Sequence, residues 1–172
     1  MSEVKEERRY ANGQLKEVVN YKNGNRDGLF EERYTNGQLR ERSNWKDGKI
    51  DGLFERWREN GQQAYRINFK NDSLDGQYEK WYPNGQLSLR ANYKNGNKDG
   101  LYEEWYPNGQ LYIRINYKNG KWHGPVKEWY NNGQLRWMST FKNEKLDGLY
   151  EEWDRDGKLT VRTNYKNGRV EE

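Results

Sequence analysis

Few side chains in this chain could carry out chemistry. His123 is the single histidine and cysteine is absent, so disulfides, thiolate ligands and a cysteine nucleophile are excluded. A general base or a metal centre needs several converging groups, and one histidine does not provide them. Residues 95–100 resemble the start of a calcium loop, but they offer one carboxylate and no glutamate follows at the twelfth position. We therefore predict a protein that is not an enzyme and that uses no metal and no cofactor.

The glycines show which elements must position any other site. All 18 glycines fall into three columns with a spacing of 24 residues. One column is Gly13, Gly37, Gly61, Gly85, Gly109, Gly133 and Gly157; a second is Gly28, Gly52, Gly76, Gly100, Gly124 and Gly148; the third is Gly24, Gly48, Gly96, Gly120 and Gly168. A fixed period of this length is typical of a repeat array, in which each unit contacts only its neighbours.

Each repeat reads as a β-hairpin. Two aromatic-rich runs flank an Asn-Gly pair, and glycines recur too often for a stable helix. The second loop is short enough to pair one hairpin with the next. The predicted fold is all-β, an elongated single-layer antiparallel β-meander of 24-residue hairpin repeats. We assign residues 1–8 to a charged lead-in, 9–168 to one continuous array and 169–172 to a charged tail.

The hairpin register has two interpretations. Pro83 stands where a type I turn prefers proline, which indicates a three-residue loop with a G1 bulge and places Trp81 beside Leu87. A two-residue Asn-Gly loop would instead pair Glu103 with Arg114, and likewise in the other repeats. We favour the bulge because of the turn chemistry, and we expect the glutamate and arginine columns to lie close together in either register.

Each glycine column has a separate expected role. The Asn-Gly column turns the hairpin, the Asp-Gly column begins its first strand, and the third column serves the link between hairpins. Asp72 and Glu144 replace glycine in the third column. Because glycine is replaced there, this position need not be left-handed in every loop, although glutamate would tolerate that conformation poorly.

Charge and hydropathy limit the partner classes. The 31 Lys and Arg residues and the 27 Asp and Glu residues are interspersed, with no run of five like charges. We therefore expect no nucleic-acid partner. Residues 1–9 are charged where a secretory signal would be apolar, and no apolar stretch is long enough for a transmembrane segment. The expected location is the cytoplasm, or the cell surface if a leader has been removed.

The run from residue 100 to residue 111, GLYEEWYPNGQL, resembles the variant MORN repeat, and the similarity extends from about residue 9 to residue 168. Many bacterial proteins with this repeat are grouped as the YwqK-type antitoxin family. The resemblance therefore implies a small non-enzymatic protein that neutralises a partner toxin. The parent MORN family implies membrane association or scaffolding instead. The repeats are also similar to aromatic cell-wall-binding repeats, which implies a glycan- or choline-binding surface module.

The fifth repeat departs most from the others. Pro125, Val126 and Lys127 differ from their columns, as do several residues around them. Either this is drift in a tolerant array, or it is a binding hot spot, for which aromatic residues are the favoured type. The candidate partner-binding residues are Trp122, His123, Trp129, Trp137 and Met138. The predicted function is macromolecule binding, with a protein as the first choice of partner.

Overall fold

The computed structural model of the protein describes residues 2–171. This range contains 17 strands and no helix, and the strands belong to one antiparallel sheet. The predicted all-β antiparallel meander is confirmed. The chain divides into two compact units, one ending at Gly85 and the other starting at Gln86.

In the first unit each hairpin is followed directly by the next. Its strands are β1 (Glu3–Arg9), β2 (Leu15–Lys22), β3 (Asn25–Arg26), β4 (Gly28–Arg33), β5 (Leu39–Lys46), β6 (Lys49–Trp57), β7 (Gln63–Lys70) and β8 (Ser73–Trp81). The short strand β3 and its successor β4 both pair with β2. Most of β1 lies in the segment that the sequence assigns to the charged lead-in.

The second unit has the same arrangement. Its strands are β9 (Leu87–Lys94), β10 (Asn97–Trp105), β11 (Leu111–Lys118), β12 (Lys121–Trp129), β13 (Leu135–Lys142), β14 (Lys145–Leu146), β15 (Gly148–Trp153), β16 (Leu159–Lys166) and β17 (Arg169–Val170). The strands β14 and β15 both pair with β13, so they are two parts of one hairpin arm.

The Asn-Gly turn is a three-residue loop. The amide of Gly109 donates to the carbonyl of Tyr106 at 2.9 Å, and the amide of Tyr106 donates to the carbonyl of Gln110 at 2.8 Å. Gly109 has a φ of 85°, which completes a type I turn followed by a G1 bulge. Trp105 therefore lies opposite Leu111, and the register that the turn chemistry favours is confirmed.

The glutamate and arginine columns are nevertheless paired as the other register predicts. After Trp105 the register shifts by one residue, so that Glu104 lies opposite Ile113 and Glu103 lies opposite Arg114. The two registers are thus successive parts of one hairpin, separated by a bulge. The same pairing joins Glu31 to Arg42, Glu55 to Arg66 and Glu151 to Arg162.

The loops that link hairpins are tight two-residue turns. Asn119 and Gly120 have φ values of 50° and 78°, as a type I′ turn requires. Asp72 and Glu144 have φ values of 65° and 66°, so the third column is left-handed in these loops too, although the sequence did not require it. A type I′ turn requires a positive φ at both of its central residues, so the side chains of Asp72 and Glu144 have to accept this conformation.

The Asp-Gly column begins a strand at Gly28 and Gly148, as the sequence predicts, but in the other four repeats it lies inside a strand, which corrects the expectation there. The strand β12 starts at Lys121, directly after the type I′ turn. The register between β11 and β12 shifts between Ile115 and Tyr117, opposite Gly124. Gly124 has a φ of 87°, so the column provides the left-handed residue of this bulge.

Neighbouring hairpins are tied together at both ends. At the Asn-Gly end the Tyr106 hydroxyl donates to the carbonyl of Trp129 at 2.9 Å, and Tyr34 does the same to Trp57. At the other end a carboxylate oxygen of Asp51 accepts from the amide of Asn71 at 3.2 Å. These contacts satisfy turn backbone groups and fix each hairpin against the next.

Most of the buried apolar residues lie on one face of the sheet, which we call the aromatic face. Successive residues of a strand point to opposite faces, and residues directly opposite each other share a face. In the second unit this face includes Ala91, Tyr102, Ile113, Ile115, Tyr117, Trp122, Val126, Glu128, Trp137, Ser139, Phe141 and Tyr150. Ala91 and Val126 are 0% exposed, so rings from neighbouring columns cover the middle of the face. The opposite side, which carries the Glu–Arg pairs, is called the charged face.

Candidate partner-binding site

The five sequence-predicted residues lie close together along the chain but on two sides of the sheet. Trp122 and Trp137 belong to the aromatic face. Trp129 and Met138 belong to the charged face, because Met138 lies opposite Lys127 and Trp129 follows Lys127 by two positions on β12. His123 lies beside the bulge at Gly124. The structure therefore does not bring the three tryptophans into one patch.

Trp122 is built into the packing of the aromatic face. Its indole Nε1 donates to the hydroxyl of Tyr117 at 3.0 Å. Its ring meets Phe141 edge to face, with centroids 5.0 Å apart and an interplanar angle of 82°. Such edge-to-face pairs stabilise folded proteins by about 0.5–1.5 kcal/mol beyond area burial. The contacts that Trp122 makes are those of a structural residue.

Trp137 is held in a similar way around a buried carboxylate. Its Nε1 donates to Glu128 Oε2 at 2.8 Å, and its ring stacks on Tyr150 at 6.1 Å. Glu128 is 7% exposed and also accepts from Arg136. The hydrogen bond and the charge of Glu128 raise the pKa of Arg136. This cluster is thus satisfied by its own members.

His123 occupies a column in which the other repeats have an acidic residue. Asp51 and Asp147 use this position to accept a hydrogen bond from the amide of the next turn. His123 Nδ1 is buried and has no hydrogen-bond partner within residues 2–171. No group of three or more potential metal ligands surrounds it or any other part of the described chain.

The charged face of the second unit carries a regular transverse row, which we call the charged row. Its members occupy successive strands and lie directly opposite one another: Arg90, Glu103, Arg114, Lys127, Met138, Glu151 and Arg162. Basic and acidic residues alternate as far as Arg114 and again from Glu151. The glutamates are almost fully buried and the arginines project, with side-chain exposures of 5% for Glu103 and 49% for Arg114.

The alternation fails on β12 and β13. Lys127 stands where the row would have a glutamate, so two cations, Arg114 and Lys127, face each other. Met138 stands where the row would have an arginine. Glu103 pairs with Arg114 at 2.7 Å, but no carboxylate of residues 2–171 lies within ion-pair distance of the exposed Lys127 ammonium.

Sequence reasoning did not select Arg114 or Lys127 as site residues, although a signal was present. The charge of one column changes from acidic to basic at Lys127, while Met138 replaces arginine in the facing column. That Lys127 also faces Arg114 depends on how β11 and β12 are aligned across the turn that links them. The bulge at Gly124 sets this register, and the sequence alone does not show it.

A family comparison identifies the sequence of these repeated hairpins. The family described as MORN repeat variant matches residues 3–23, 26–47, 74–95, 98–119, 122–143 and 146–167, which is more than half of the chain. The chain belongs to the MORN repeat variant family. No curated protein matches it significantly. MORN repeats are generally associated with binding interactions, which agrees with the predicted class of function.

The one repeat that the family match omits departs at defined positions. Residues 50–71 lie between two matched segments. This MORN-like hairpin has Arg58 in place of the usual tyrosine and Gln63 in place of leucine. Arg58 still donates to the carbonyl of Trp81 at 2.8 Å, as tyrosine does in neighbouring repeats. The hairpin is therefore retained although its signature residues have changed.

The matched fifth repeat, residues 122–143, contains all five candidate residues. No helix within residues 2–171 is long and apolar enough to cross a membrane. Among the candidates, Trp122 and Trp137 have their indole N–H groups bonded within the sheet, whereas Trp129 donates to no group of the described chain. Within the described chain, the candidate indole N–H group that stays unbonded is therefore that of Trp129, on the charged face.

Proposed function

We propose that this MORN-repeat protein is a non-enzymatic module that binds a partner protein through the charged face of its fifth repeat. The proposed contact surface, the fifth-repeat site, consists of Pro125, Lys127, Trp129 and Met138 of this repeat together with Arg114 of the preceding repeat. The observation that supports it is the break in the charged row, where an exposed lysine without an acidic partner stands beside a methionine and a tryptophan. Tryptophan and arginine are the residues most enriched at binding hot spots.

The rings of the aromatic face favour a protein partner over a choline-like ligand. Cation sites formed by two rings do occur, but side chains of the chain itself fill them. The Lys98 ammonium lies 3.9 Å from the ring centroid of Tyr102 and 4.9 Å from that of Tyr117. Arg26 lies over Phe30 and Trp45 in the same way. A quaternary ammonium ligand would have to displace these cations.

The more specific proposal is an antitoxin-like role, in which the bound partner is a toxin that the repeat array neutralises. Its support is the resemblance to the YwqK-type antitoxin family. Neutralisation requires only that the fifth-repeat site covers a functional surface of the partner. Co-expression tests this part of the proposal: the chain should restore the growth of cells that produce the partner, and the Lys127→Glu/Met138→Arg variant should not.

Binding to a purified partner tests the function itself. The partner would be isolated with the tagged chain from the organism that encodes it, and the complex rebuilt from the two purified proteins. We expect a stoichiometric complex in calorimetry, with a Trp129→Ala affinity loss of about 2 kcal/mol, the threshold for a hot spot. Trp57→Ala changes the same column of another repeat and is the matched control, for which we expect unchanged affinity.

Two outcomes contradict this proposal. One is that no purified protein forms a stoichiometric complex with the chain, whereas cell-wall glycan or vesicles retain it. The other is that Trp129→Ala and Trp57→Ala weaken the complex equally, which places the contact outside the fifth repeat. Circular dichroism of both variants shows whether each keeps the fold.

A further inference from the structure

We infer that the fifth-repeat site binds an acidic segment of the partner protein, with a partner carboxylate placed between Arg114 and Lys127. The inference rests on the proposed protein-binding function and specifies the chemistry of the partner. It starts from the charge balance of the charged row. Elsewhere in the second unit an arginine of this row faces a glutamate, whereas here Arg114 faces Lys127 on one side and Glu103 on the other.

The arginine of the site is held in place before any partner arrives. Arg114 Nε donates to Glu103 Oε1 at 2.8 Å, and Nη2 lies 2.7 Å from the same oxygen. Glu103 is 4% exposed, so the anchoring carboxylate is fixed within the sheet. Arg114 Nη1 makes no hydrogen bond within residues 2–171 and its side chain is half exposed. A guanidinium has five donors, so Nη1 is free to bind a second carboxylate.

The lysine provides the excess charge. Cross-strand pairs of like charge destabilise a sheet, because directly opposite Cβ atoms lie about 4.5–5.5 Å apart. Lys127 is exposed and Met138, on its other side, brings no charge. A carboxylate bound between the two cations would replace their repulsion with two attractions. A basic segment would be repelled by both cations, so the site discriminates between partners by the sign of their charge.

Apolar groups flank the two cations on the same face. Pro125 and Trp129 are two positions before and after Lys127 on β12, and Met138 lies directly opposite Lys127 on β13. Pro125 is exposed, and Trp129 and Met138 are partly exposed. The thioether and the indole can adapt to apolar side chains that neighbour the partner's acidic residue. The site therefore fits an acidic segment that carries apolar residues.

A peptide titration followed by NMR tests the charge preference directly. The probe is hexaglutamate, added at low ionic strength to the isotopically labelled full chain, with hexalysine as the opposite-charge control. We expect hexaglutamate to shift the amide signals of residues 114, 127, 129 and 138 in a saturable way. Hexalysine should leave these signals in place. Added salt should weaken the binding, because exposed charges are screened.

Two double variants make the test specific to the break in the charged row. Lys127→Glu/Met138→Arg restores the alternation and should lower the hexaglutamate affinity about ten-fold, the equivalent of one strong ionic contact. Glu55→Lys/Arg66→Met copies the break into another repeat, where Arg42 faces position 55. This variant should gain saturable hexaglutamate shifts at residues 42, 55 and 66.

The inference is overturned if hexaglutamate shifts the amide signals of all arginine columns equally, or if no amide signal moves. It is also overturned if hexaglutamate binds the restored variant as tightly as it binds the natural chain. The inference can also fail while the proposed function holds. If Trp129→Ala weakens the natural complex while Lys127→Glu/Met138→Arg leaves it unchanged, the fifth repeat still binds a protein but the partner's contact is not acidic.

Discussion

Arg114 and Lys127 lie directly opposite each other on β11 and β12, so two cations meet within the charged row of the second unit. At the corresponding places on other hairpins Arg42 faces Glu55, and Arg66 faces Glu79. The like-charge pair lowers the stability of the free sheet and attracts a carboxylate. Both consequences can be measured.

The first prediction concerns the cost of this pair in the free protein. Lys127→Glu should raise the free energy of unfolding by about 0.2–1 kcal/mol, because it places a carboxylate opposite Arg114. Glu55→Lys is the matched reverse change and should lower it by a similar amount, since Glu55 lies between two arginines. Urea unfolding measures both. A Lys127→Glu variant less stable than the natural chain would argue against repulsion at this pair.

Two serines in the same column should respond in opposite ways to alanine. Ser43 Oγ accepts from Trp45 Nε1 at 2.9 Å, whereas Ser139 Oγ is buried without a partner in the described chain. Ser139→Ala removes a desolvated hydroxyl and should raise the unfolding free energy by about 1 kcal/mol. Ser43→Ala leaves the indole N–H without an acceptor and should lower it by about 1 kcal/mol.

Ala91 in the same column shows that alanine fits this place, since it is 0% exposed. Thermal or urea unfolding of the two alanine variants shows whether their unfolding free energies change in opposite directions. Equal losses in both would mean that packing, and not hydrogen bonding, controls this column.

The left-handed glutamate gives a third prediction. Glu144 has a φ of 66°, a conformation that costs a residue with a side chain about 1–2 kcal/mol. Its 3.8 Å ion pair with Lys121 is exposed and offsets little of this cost. Glu144→Gly should therefore raise the unfolding free energy by about 1 kcal/mol. Gly120→Glu, the reverse change in the same column, should lower it; the opposite order would contradict the assigned turn.

The stability of the folded chain should depend on pH because of Glu41. Burial raises the pKa of Glu41, and the charge of Glu32, which lies directly opposite, raises it further, while Arg56 lowers it. Because the pKa is higher in the folded state, the carboxyl favours folding most below its ordinary value of 4.5. This contribution is lost as the pH rises through the folded pKa.

Glu41→Gln removes that pH dependence. At neutral pH the variant should be more stable than the natural chain by about 0.2–1 kcal/mol, and well below the ordinary pKa the two should be equal. Urea unfolding at a series of pH values measures the difference. A difference that stays constant across the series would exclude ionisation of Glu41 as its cause.

The repeat period and the turn chemistry were sufficient to predict the fold. The proline directly before the Asn-Gly pair indicates the turn that the structure has at Gly109, and the structure confirms that Trp105 lies opposite Leu111. The sequence could not show that the same hairpin also pairs Glu103 with Arg114. The reason is a one-residue bulge after the turn, which depends on packing along the whole strand and not on a residue type.

The site was predictable to the level of the repeat and not of the face. Trp122, Trp129 and Trp137 are similar in type, but strand parity places Trp129 on one face and the others on the opposite face. Trp122 and Trp129 are seven positions apart on β12, and a one-residue bulge between Glu128 and Trp129 places Trp137 opposite Glu128 rather than on the face of Trp129. The contribution of Arg114 also required the structure, because it lies on the preceding hairpin.

The affinity of the Lys127→Glu/Met138→Arg chain for its purified natural partner tests the central claim most directly. This variant restores an ion pair and should unfold at the same or a higher urea concentration, so that misfolding cannot explain a loss of binding. We expect its affinity to fall at least about ten-fold relative to the natural chain. An unchanged affinity in the correctly folded variant would contradict the assignment of partner binding to the Arg114–Lys127 pair.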